Sequence, residues 1–397
     1  MSAMPDDHAG DLLDPQVREI RDLVREVVRK AVAPRAAEID ASGEFPEDVR
    51  QAFAEAGLFA LPFAEAYGGT GTGTLPVLVA VEEIARACAT SALMLSVQDL
   101  GAIALRLTGT DEQKDRYLPR LASGEWLPAY ALTESEAGSD AAALRSTATH
   151  DGEEYVLRGG KRFITNAGVA GLYTVFAKTD PVAGNKGISA FLVEADTPGL
   201  EVLRVEPKMG IKGSTTGELA FDDVRVPEGN RLGEEGEGFA IAMRVLDRSR
   251  PGIAAQALGL AQGATDVALA YAAEREAFGQ PIAKHQLVGA MLADMETRTW
   301  AARGLLYRVG RMIDAGADGP ALTKAAAMAK LFCSDTAMAV TTDAVQVLGG
   351  YGYMREFPVE RMMRDAKITQ IYEGTNQIQR LVIAREMLRE QRDPPMV

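Results

Sequence analysis

Apolar residues recur every three or four positions along the first third of the chain, which is the spacing of one buried face of an α-helix. Asp14 and Pro15 suit the N-cap and the first turn of such a helix, and the pattern continues to about Asp40. Thr110 and Gln113 have the spacing of a capping box, which predicts a shorter helix directly after them. The sequence therefore predicts an all-helical start, with further helices over 46–56, 75–89 and 91–107.

The pattern changes near Trp126, after which β-branched and aromatic residues alternate with polar ones in short runs. Two of these runs, 146–150 and 154–158, flank Asp151-Gly152, a dipeptide typical of a hairpin turn. The other runs of this kind cover 173–178, 188–193, 201–205 and 218–221. We therefore expect an antiparallel β unit in the middle of the chain.

Helical periodicity returns at about Gly238 and persists nearly to the end, with breaks at 279–281, 316–320 and 349–358. A doubly wound nucleotide-binding fold needs strands that alternate with helices, so this order of elements excludes it. The predicted fold class is α+β. It comprises an N-terminal helical domain at 1–127, a central antiparallel β-barrel-like domain at 128–240 and a C-terminal four-helix bundle at 241–397.

The formal net charge of -14 limits the classes of partner that the protein can bind. Nucleic acid and anionic membranes are disfavoured, because both would be repelled unless a basic cluster intervened. No run of five or six like charges occurs in the sequence. Any phosphate-bearing ligand must therefore be held by local amides, hydroxyls or isolated basic side chains.

Cysteine and histidine usage indicates a reducing compartment and no metal site. Cys88 and Cys333 lie in helix-like surroundings and suit packing, while His8, His150 and His285 lack partners at ligand spacing. The first fifteen residues lack the features of a secretory signal or a transit peptide, and no apolar run is long enough to cross a membrane. A cytoplasmic protein without membrane insertion is expected.

Three segments carry candidate chemistry. Glu373 stands beside Gly374 in an otherwise helix-forming segment, which suits either a solvated helix end or an acid that something approaches closely. Segment 130–140 begins as a strand and ends in small residues with free amides, so it suits either a polar turn or a site for an anion or a heterocycle. In segment 163–167 a ring could stack on Phe163.

Five ordered motifs resemble signatures of the acyl-CoA dehydrogenase family of flavoproteins, and the similarity covers residues 15 to 390. The motifs are YALTESEAGSD (130–140), FITNA (163–167), EREAFGQPIAKHQ (274–286), QVLGGYGY (346–353) and RDAKITQIYEGTNQIQR (364–380). The resemblance implies helical domains on either side of a β domain, one non-covalent FAD per chain, and a homo-oligomer, usually a tetramer. It also implies oxidation of a saturated acyl-CoA to the trans-2-enoyl-CoA, with electrons passed to an electron-transfer flavoprotein.

The resemblance assigns roles residue by residue. Glu373 would be the catalytic base, and the residues expected around the substrate are Ser139, Leu246, Asp247, Arg250, Tyr372 and Gly374. The residues expected to line the flavin of the same chain are Tyr130, Ala131, Leu132, Thr133, Gly138, Ser139, Phe163, Ile164, Thr165, Thr375, Asn376 and Gln377. Those expected to reach the FAD of a neighbouring subunit are Arg275, Phe278, Gln286, Gln346, Val347, Gly349 and Gly350.

Several alternatives stay open at the level of sequence. The same scaffold would suit a flavin-dependent acyl-CoA oxidase or monooxygenase, although relatives that hydroxylate typically lack the base that Glu373 matches. A flavin and acyl-CoA binding protein without turnover is a third hypothesis. Gln98 and Asp99 either polarise the acyl pocket or lie on a solvated helix face. The length, branching and polarity of the acyl group, its pathway and the electron acceptor are not readable.

Overall fold

The first helical stretch is interrupted in the middle. The computed structural model describes residues 13–392, so residues 1–12, with His8 and most of the segment used to judge targeting, lie outside it. Helix α1 covers Pro15–Val27, a π-helical turn and a 3₁₀ turn follow, and α2 covers Ala36–Ser42. The prediction of one helix to about Asp40 was wrong in this respect, because Pro34 lacks an amide hydrogen and its ring crowds the preceding turn.

The remaining N-terminal helices follow the predicted order. They are α3 (Glu47–Glu55), α4 (Thr74–Ala85), α5 (Ala89–Thr108) and α6 (Asp111–Ala122). The capping box of α6 is confirmed, because the Gln113 amide donates to Thr110 Oγ1 at 3.2 Å and the Thr110 amide donates to Gln113 Oε1 at 2.9 Å. Helices α4 and α5 are buried along most of their length, which makes them central elements.

The middle of the chain forms a mixed sheet. Its strands are β1 (Leu127–Ala131), β2 (Thr147–Asp151), β3 (Glu154–Thr165), β4 (Ala170–Lys178), β5 (Ile188–Glu194), β6 (Leu200–Val205), β7 (Thr216–Pro227) and β8 (Arg231–Leu232). They pair in the order β6-β7-β3-β2-β4-β5-β8, and β1 pairs with β4. The hairpin at Asp151-Gly152 is confirmed, but β1 and β2 both run parallel to β4. Parallel strands are joined by a long connection, so their pairing cannot be predicted from a local sequence pattern.

The C-terminal part contains long helices separated at the predicted breaks. These are α7 (Gly238–Glu274), α8 (Gln286–Asp314), α9 (Gly319–Leu348), α10 (Val359–Thr369) and α11 (Asn376–Arg392), with a small hairpin of β9 (Glu276–Ala277) and β10 (Gln280–Pro281) after α7. Helices α7, α8 and α9 pack side by side, and α10 and α11 pack against α9. None of the helices described between residues 13 and 392 is long and apolar enough to cross a membrane.

One apolar core joins the two helical parts, while the sheet has a core of its own. A buried polar cluster links α4, α7 and α8, since Arg303 donates to Glu82 and Gln262, and Tyr307 donates to Glu82. Cys88 and Cys333 are buried free thiols, as expected for packing residues. The predicted fold class is confirmed, and the boundaries at 127 and 240 stay predictions.

Candidate active site

Glu373 lies in the short turn between α10 and α11, in an unusual backbone conformation. Its φ is 51° and that of Gly374 is 89°, so two successive residues adopt left-handed conformations. The φ of 89° favours glycine at position 374, and a β-carbon there would also displace the end of the Gln379 side chain, whose Nε2 would be 2.7 Å away. The turn therefore presents the Glu373 side chain in a direction that a continuous helix could not provide.

The Glu373 carboxylate is placed against α7. Ser249 Oγ donates to Glu373 Oε2 at 2.6 Å. Burial raises the pKa of Glu373 to about 7, against the opposing effects of the Ser249 hydrogen bond and the charges of Arg250 and Lys330. The charge of Asp99 on α5 adds to the increase. A carboxylate with this proton affinity can accept a proton near neutral pH.

Arg250 on α7 contacts the same turn. Its Nε donates to the Glu373 carbonyl oxygen at 3.4 Å, and its Nη1 donates to Asp247 Oδ1 at 2.9 Å. The Tyr372 hydroxyl donates to Gln256 on α7. Of the predicted substrate residues, Tyr372 and Gly374 flank Glu373, Arg250 contacts it and Asp247 pairs with Arg250. Leu246 precedes Asp247 on α7, and Ser139 lies exposed in the loop after β1.

Three side chains of this site were not among the predicted residues. Besides Ser249, these are Gln379, which donates to the carbonyls of Glu373 and Gly374, and Lys330, which donates to Gly374 and to Asn376. Sequence offered one signal, since Lys330 is the only charged residue in the run 325–333. Only the fold reveals that α9 directs it at the Glu373 turn.

The predicted flavin residues of the first two motifs form a ledge at the end of β1. The Arg162 amide donates to the Thr133 carbonyl at 2.9 Å, which joins the loop after β1 to β3. The Tyr130 hydroxyl donates to the Ala242 carbonyl at 3.4 Å, so its side chain lies against α7, the helix that contacts Glu373. Burial and the charge of Glu373 raise the pKa of Tyr130 well above its usual value. The other members are Ala131 and Leu132, both buried, exposed Gly138 and Ser139, exposed Phe163, buried Ile164, and half-buried Thr165.

The ledge suits a flat heterocycle such as the isoalloxazine ring of a flavin. Phe163 is 58% exposed although it is aromatic, and its φ of 59° turns it out of the regular strand. A β-carbon added at Gly138 would meet nothing within 4 Å, so the loop leaves open space there. Below the ledge, buried Lys161 donates to Glu134 at 2.6 Å and to the Leu132 carbonyl at 3.3 Å. These residues fit the cofactor that the resemblance implies.

The turn residues after Gly374 differ in their accessibility. Thr375 Oγ1 accepts from the Ile378 amide at 3.3 Å, and Gln377 is exposed. Asn376 is buried, and its side-chain amide donates to Ser334 and Asp335. The Asn376 side chain therefore points into the protein, away from any ligand at the surface of the turn.

The residues predicted to reach a neighbouring FAD form a second, separate group. Arg275, Val347, Gly349 and Gly350 line a groove of about 410 Å³ at the end of α9. The exposed side chains of Phe278 and Gln286 lie nearby on the β9–β10 hairpin and at the start of α8, and exposed Gln346 precedes Val347. At 1.5 Å per residue, Val347 is about 26 Å along α9 from Lys330, which contacts the Glu373 turn. The predicted cofactor residues of one chain therefore fall into two separate groups.

Gln98 and Asp99 have different surroundings. The interpretation of Gln98 as part of a solvated face was wrong, because Gln98 is fully buried and donates to the carbonyls of Leu121 and Trp126. Asp99 pairs with Arg106 and, together with Arg248, lines a cavity of about 230 Å³. Helix periodicity could not separate the two, since adjacent residues face different neighbours.

Comparison with known proteins gives one consistent family. The chain matches the family descriptions "Acyl-CoA dehydrogenase, N-terminal domain" over 14–125, "middle domain" over 129–224 and "C-terminal domain" over 236–388. It is 50% identical to cyclohexane-1-carbonyl-CoA dehydrogenase of Geobacter metallireducens, over 94% of this chain and 98% of that protein.

Two solved structures have the same fold over nearly their whole length. Butyryl-CoA dehydrogenase from Megasphaera elsdenii has a TM-score of 0.93 at 43% identity, covering 97% of this chain and 100% of its own. A structure described as the electron transferring flavoprotein of Acidaminococcus fermentans contains a chain with a TM-score of 0.93 at 46% identity, covering 95% of this chain and 99% of its own.

Proposed function

Because the chain belongs to the acyl-CoA dehydrogenase family, we propose that it removes a proton from the α-carbon and a hydride from the β-carbon of a saturated acyl-CoA, giving the trans-2-enoyl-CoA. The protein is an oxidoreductase with FAD as its cofactor. The observation that carries the mechanism is Glu373, a carboxylate with a pKa raised by burial to about 7, facing the ledge at the end of β1.

Glu373 acts as the base in this mechanism. The α-hydrogen of a thioester is weakly acidic, so its removal needs a carboxylate held close to the carbon. Ser249 and Arg250 orient the carboxylate and its turn. FAD, when bound on the ledge of Tyr130, Thr133 and Phe163, supplies the acceptor for the hydride.

The backbone of the same turn suits the stabilisation of negative charge on the thioester oxygen. Within residues 13–392, the Glu373 amide has no protein acceptor, so its N–H is available to a ligand. An N–H donor fixed at a developing enolate oxygen stabilises the transition state more than the ground state. Residue 373 would thus supply both the base and one oxyanion donor.

The second group of residues supports an oligomer in which subunits share cofactors. Val347, in the groove that Arg275, Gly349 and Gly350 also line, is about 26 Å along α9 from Lys330, which contacts the Glu373 turn, so these groove residues would hold the FAD of a neighbouring copy. A homotetramer is the arrangement that the resemblance implies. We further propose an electron-transfer flavoprotein as electron acceptor and a cytoplasmic location.

Replacement of Glu373 tests the proposed reaction. Glu373→Gln should retain FAD and bind acyl-CoA but reduce the flavin at least ~100-fold more slowly, as expected for loss of a positioned base. Anaerobic stopped-flow mixing with acyl-CoA thioesters from butyryl- to octanoyl-CoA, followed by flavin bleaching, measures this rate. Glu356→Gln, at an exposed position at the other end of α10, is the control for loss of a carboxylate. An unchanged rate in Glu373→Gln would exclude the assignment of the base.

The same experiment separates the alternatives. An oxidase would consume oxygen stoichiometrically with enoyl-CoA formation, whereas a dehydrogenase would need the flavoprotein acceptor or a dye. A binding protein without turnover would bind the thioesters without bleaching the flavin. The retained carboxylate at Glu373 speaks against the monooxygenase and the binding protein, and the oxygen requirement separates the oxidase from the dehydrogenase.

A further inference from the structure

Helix α9 carries a lysine whose side chain is entirely inside the protein. Lys330 is 0% exposed. Its Nζ donates to the Gly374 carbonyl oxygen at 2.9 Å and to Asn376 Oδ1 at 2.9 Å. Both bonds end on the segment directly after Glu373, so this ammonium group ties the turn to α9.

The charged groups around Lys330 come from three elements. Glu373 on the turn and Asp335 on α9 favour its charged form, whereas Arg250 on α7 opposes it. Burial lowers the pKa of Lys330 to about 7 in spite of these acids. The effects on Glu373 have the opposite sign. Burial raises the pKa of Glu373, the charges of Lys330 and Arg250 oppose this increase, and the charge of Asp99 adds to it. Each of the two charges therefore stabilises the other.

Lys330 and Arg250 are not equivalent neighbours of the carboxylate. The Arg250 guanidinium is already paired with Asp247 at 2.9 Å, which compensates much of its charge. The hydrogen bonds of Lys330 described here end on neutral oxygens, so its charge is compensated less locally. In a buried, poorly screened environment such a charge acts on the acids around it, and Glu373 interacts with Lys330 more strongly than Asp335 does.

We propose that Lys330 is a positioning residue of the dehydrogenation, which holds the turn after Glu373 through the Gly374 carbonyl and keeps the Glu373 carboxylate ionised through its own charge. The catalytic role of Glu373 in this inference rests on the proposed function. The effects of Lys330 on the turn and on the proton affinity of Glu373 are properties of the folded protein, so they can be tested without turnover.

Three replacements separate the two contributions. Lys330→Arg keeps the charge, Lys330→Gln keeps a hydrogen-bond donor without charge, and Lys330→Met removes both. Lys324→Met is the matched control, because Lys324 lies on the same helix but pairs at the surface with Glu390. Glu373→Gln identifies the infrared band of the protonated carboxyl group by its loss.

The proton affinity of Glu373 is the decisive measurement. Infrared difference spectra of the FAD-loaded protein, recorded against pH, should show the Glu373 titration at a pH at least about one unit higher in Lys330→Gln and Lys330→Met, as expected for loss of a nearby opposite charge. Lys330→Arg should titrate at the same pH as the unmodified protein or at a lower one, because arginine keeps its charge throughout this range, and Lys324→Met should titrate as the unmodified protein does. The same titration in Lys330→Gln as in the unmodified protein, or an equal increase in Lys330→Arg, would overturn the proposal.

Kinetics supply the second readout. In single-turnover flavin reduction by butyryl-CoA, the acid limb of the pH–rate profile should shift to higher pH in Lys330→Gln, while the rate at high pH stays that of the unmodified protein. Lys330→Met should also lose rate at high pH, because the turn is released. If Lys330→Met does not fold, Lys330→Gln and Lys330→Arg still decide the matter. Absence of bleaching in the unmodified protein would count against the proposed function and leave the infrared result standing.

Discussion

The Glu373 carboxylate binds a proton more tightly in the folded protein than in an unfolded chain, because burial raises its pKa from 4.5 to about 7. Between these two values the folded state holds a proton that the unfolded state releases. The free energy of unfolding therefore falls as the pH rises through this window. A site suited to base catalysis thus costs the protein stability at neutral pH.

Removal of this acid should stabilise the fold in a pH-dependent way. In Glu373→Gln we expect a gain over the unmodified protein of about 3.5 kcal/mol at pH 8, from ~1.4 kcal/mol for each pH unit between 4.5 and about 7, and little gain near pH 4.5. Thermal unfolding midpoints of the FAD-loaded proteins at pH 5 and pH 8 measure the difference. Glu356→Gln should show no such pH dependence, and an equal gain at both pH values would contradict the expectation.

The ion pair of Asp99 and Arg106 should limit the acyl group. These side chains line the cavity of about 230 Å³ beside α7, and a hydrocarbon chain that covers them would remove their charges from water. Replacing both with leucine should raise the preference for octanoyl-CoA over butyryl-CoA at least about tenfold, since burial of two of the four additional methylenes at about 0.8 kcal/mol each is sufficient for that factor. The ratio of kcat/KM values measures this. The same change at the exposed pair Arg158 and Asp223 should leave the ratio unaltered.

At the level of elements, the turn between α10 and α11 depends on Gly374. Gly374→Ala places a β-carbon 2.7 Å from Gln379 Nε2 and also strains a φ of 89°. Gly316→Ala, between α8 and α9, meets the same kind of φ, 80°, but no atom within 4 Å. Both should lose about 1 to 2 kcal/mol of stability from the left-handed backbone.

Only the clash at Gly374 should affect chemistry. We expect flavin reduction to slow at least ~10-fold in Gly374→Ala, because a small displacement of a positioned base is costly, and to stay unchanged in Gly316→Ala. Urea unfolding and single-turnover rates of the two variants test both halves. Equal rates in the two variants would show that the close contact is not what positions Glu373.

At the scale of the whole molecule, the most exposed apolar side chains indicate which surface is covered in an assembly. Phe278 is 97% exposed at the tip of the β9–β10 hairpin, beside the groove that holds Arg275. Exposed Tyr351 and Met354 line that groove, and an apolar surface made of several such residues is typical of an interaction site. Val182 is 93% exposed in a loop before β5 and offers a comparison.

Phe278→Asp should weaken both subunit association and FAD retention, because it places a charge in the proposed interface. We expect at least a ~10-fold higher dissociation constant for FAD, as each 1.4 kcal/mol corresponds to a factor of ten. Sedimentation velocity and flavin fluorescence measure the two effects. Val182→Asp should change neither, and an unaltered assembly in Phe278→Asp would contradict the shared cofactor site.

Much of the architecture was readable from local patterns. The capping box of α6, the hairpin at Asp151-Gly152 and the breaks between the C-terminal helices all follow from interactions between residues close in sequence, and the structure confirms them. The family was also recognisable, because its motifs are short and ordered. The interruption at Pro34 was missed, since apolar spacing alone does not show where a helix changes its hydrogen-bond pattern.

The sequence by itself determined the fold class, the family and the candidate base, because helix and strand periodicity and contiguous motifs are local properties. Tertiary structure alone decided which side chains surround that base. Ser249, Lys330 and Gln379 reach Glu373 from α7, α9 and α11, and the parallel pairing of β1 with β4 places the ledge. Burial then sets the proton affinity of the carboxylate, and burial depends on contacts between residues far apart in sequence.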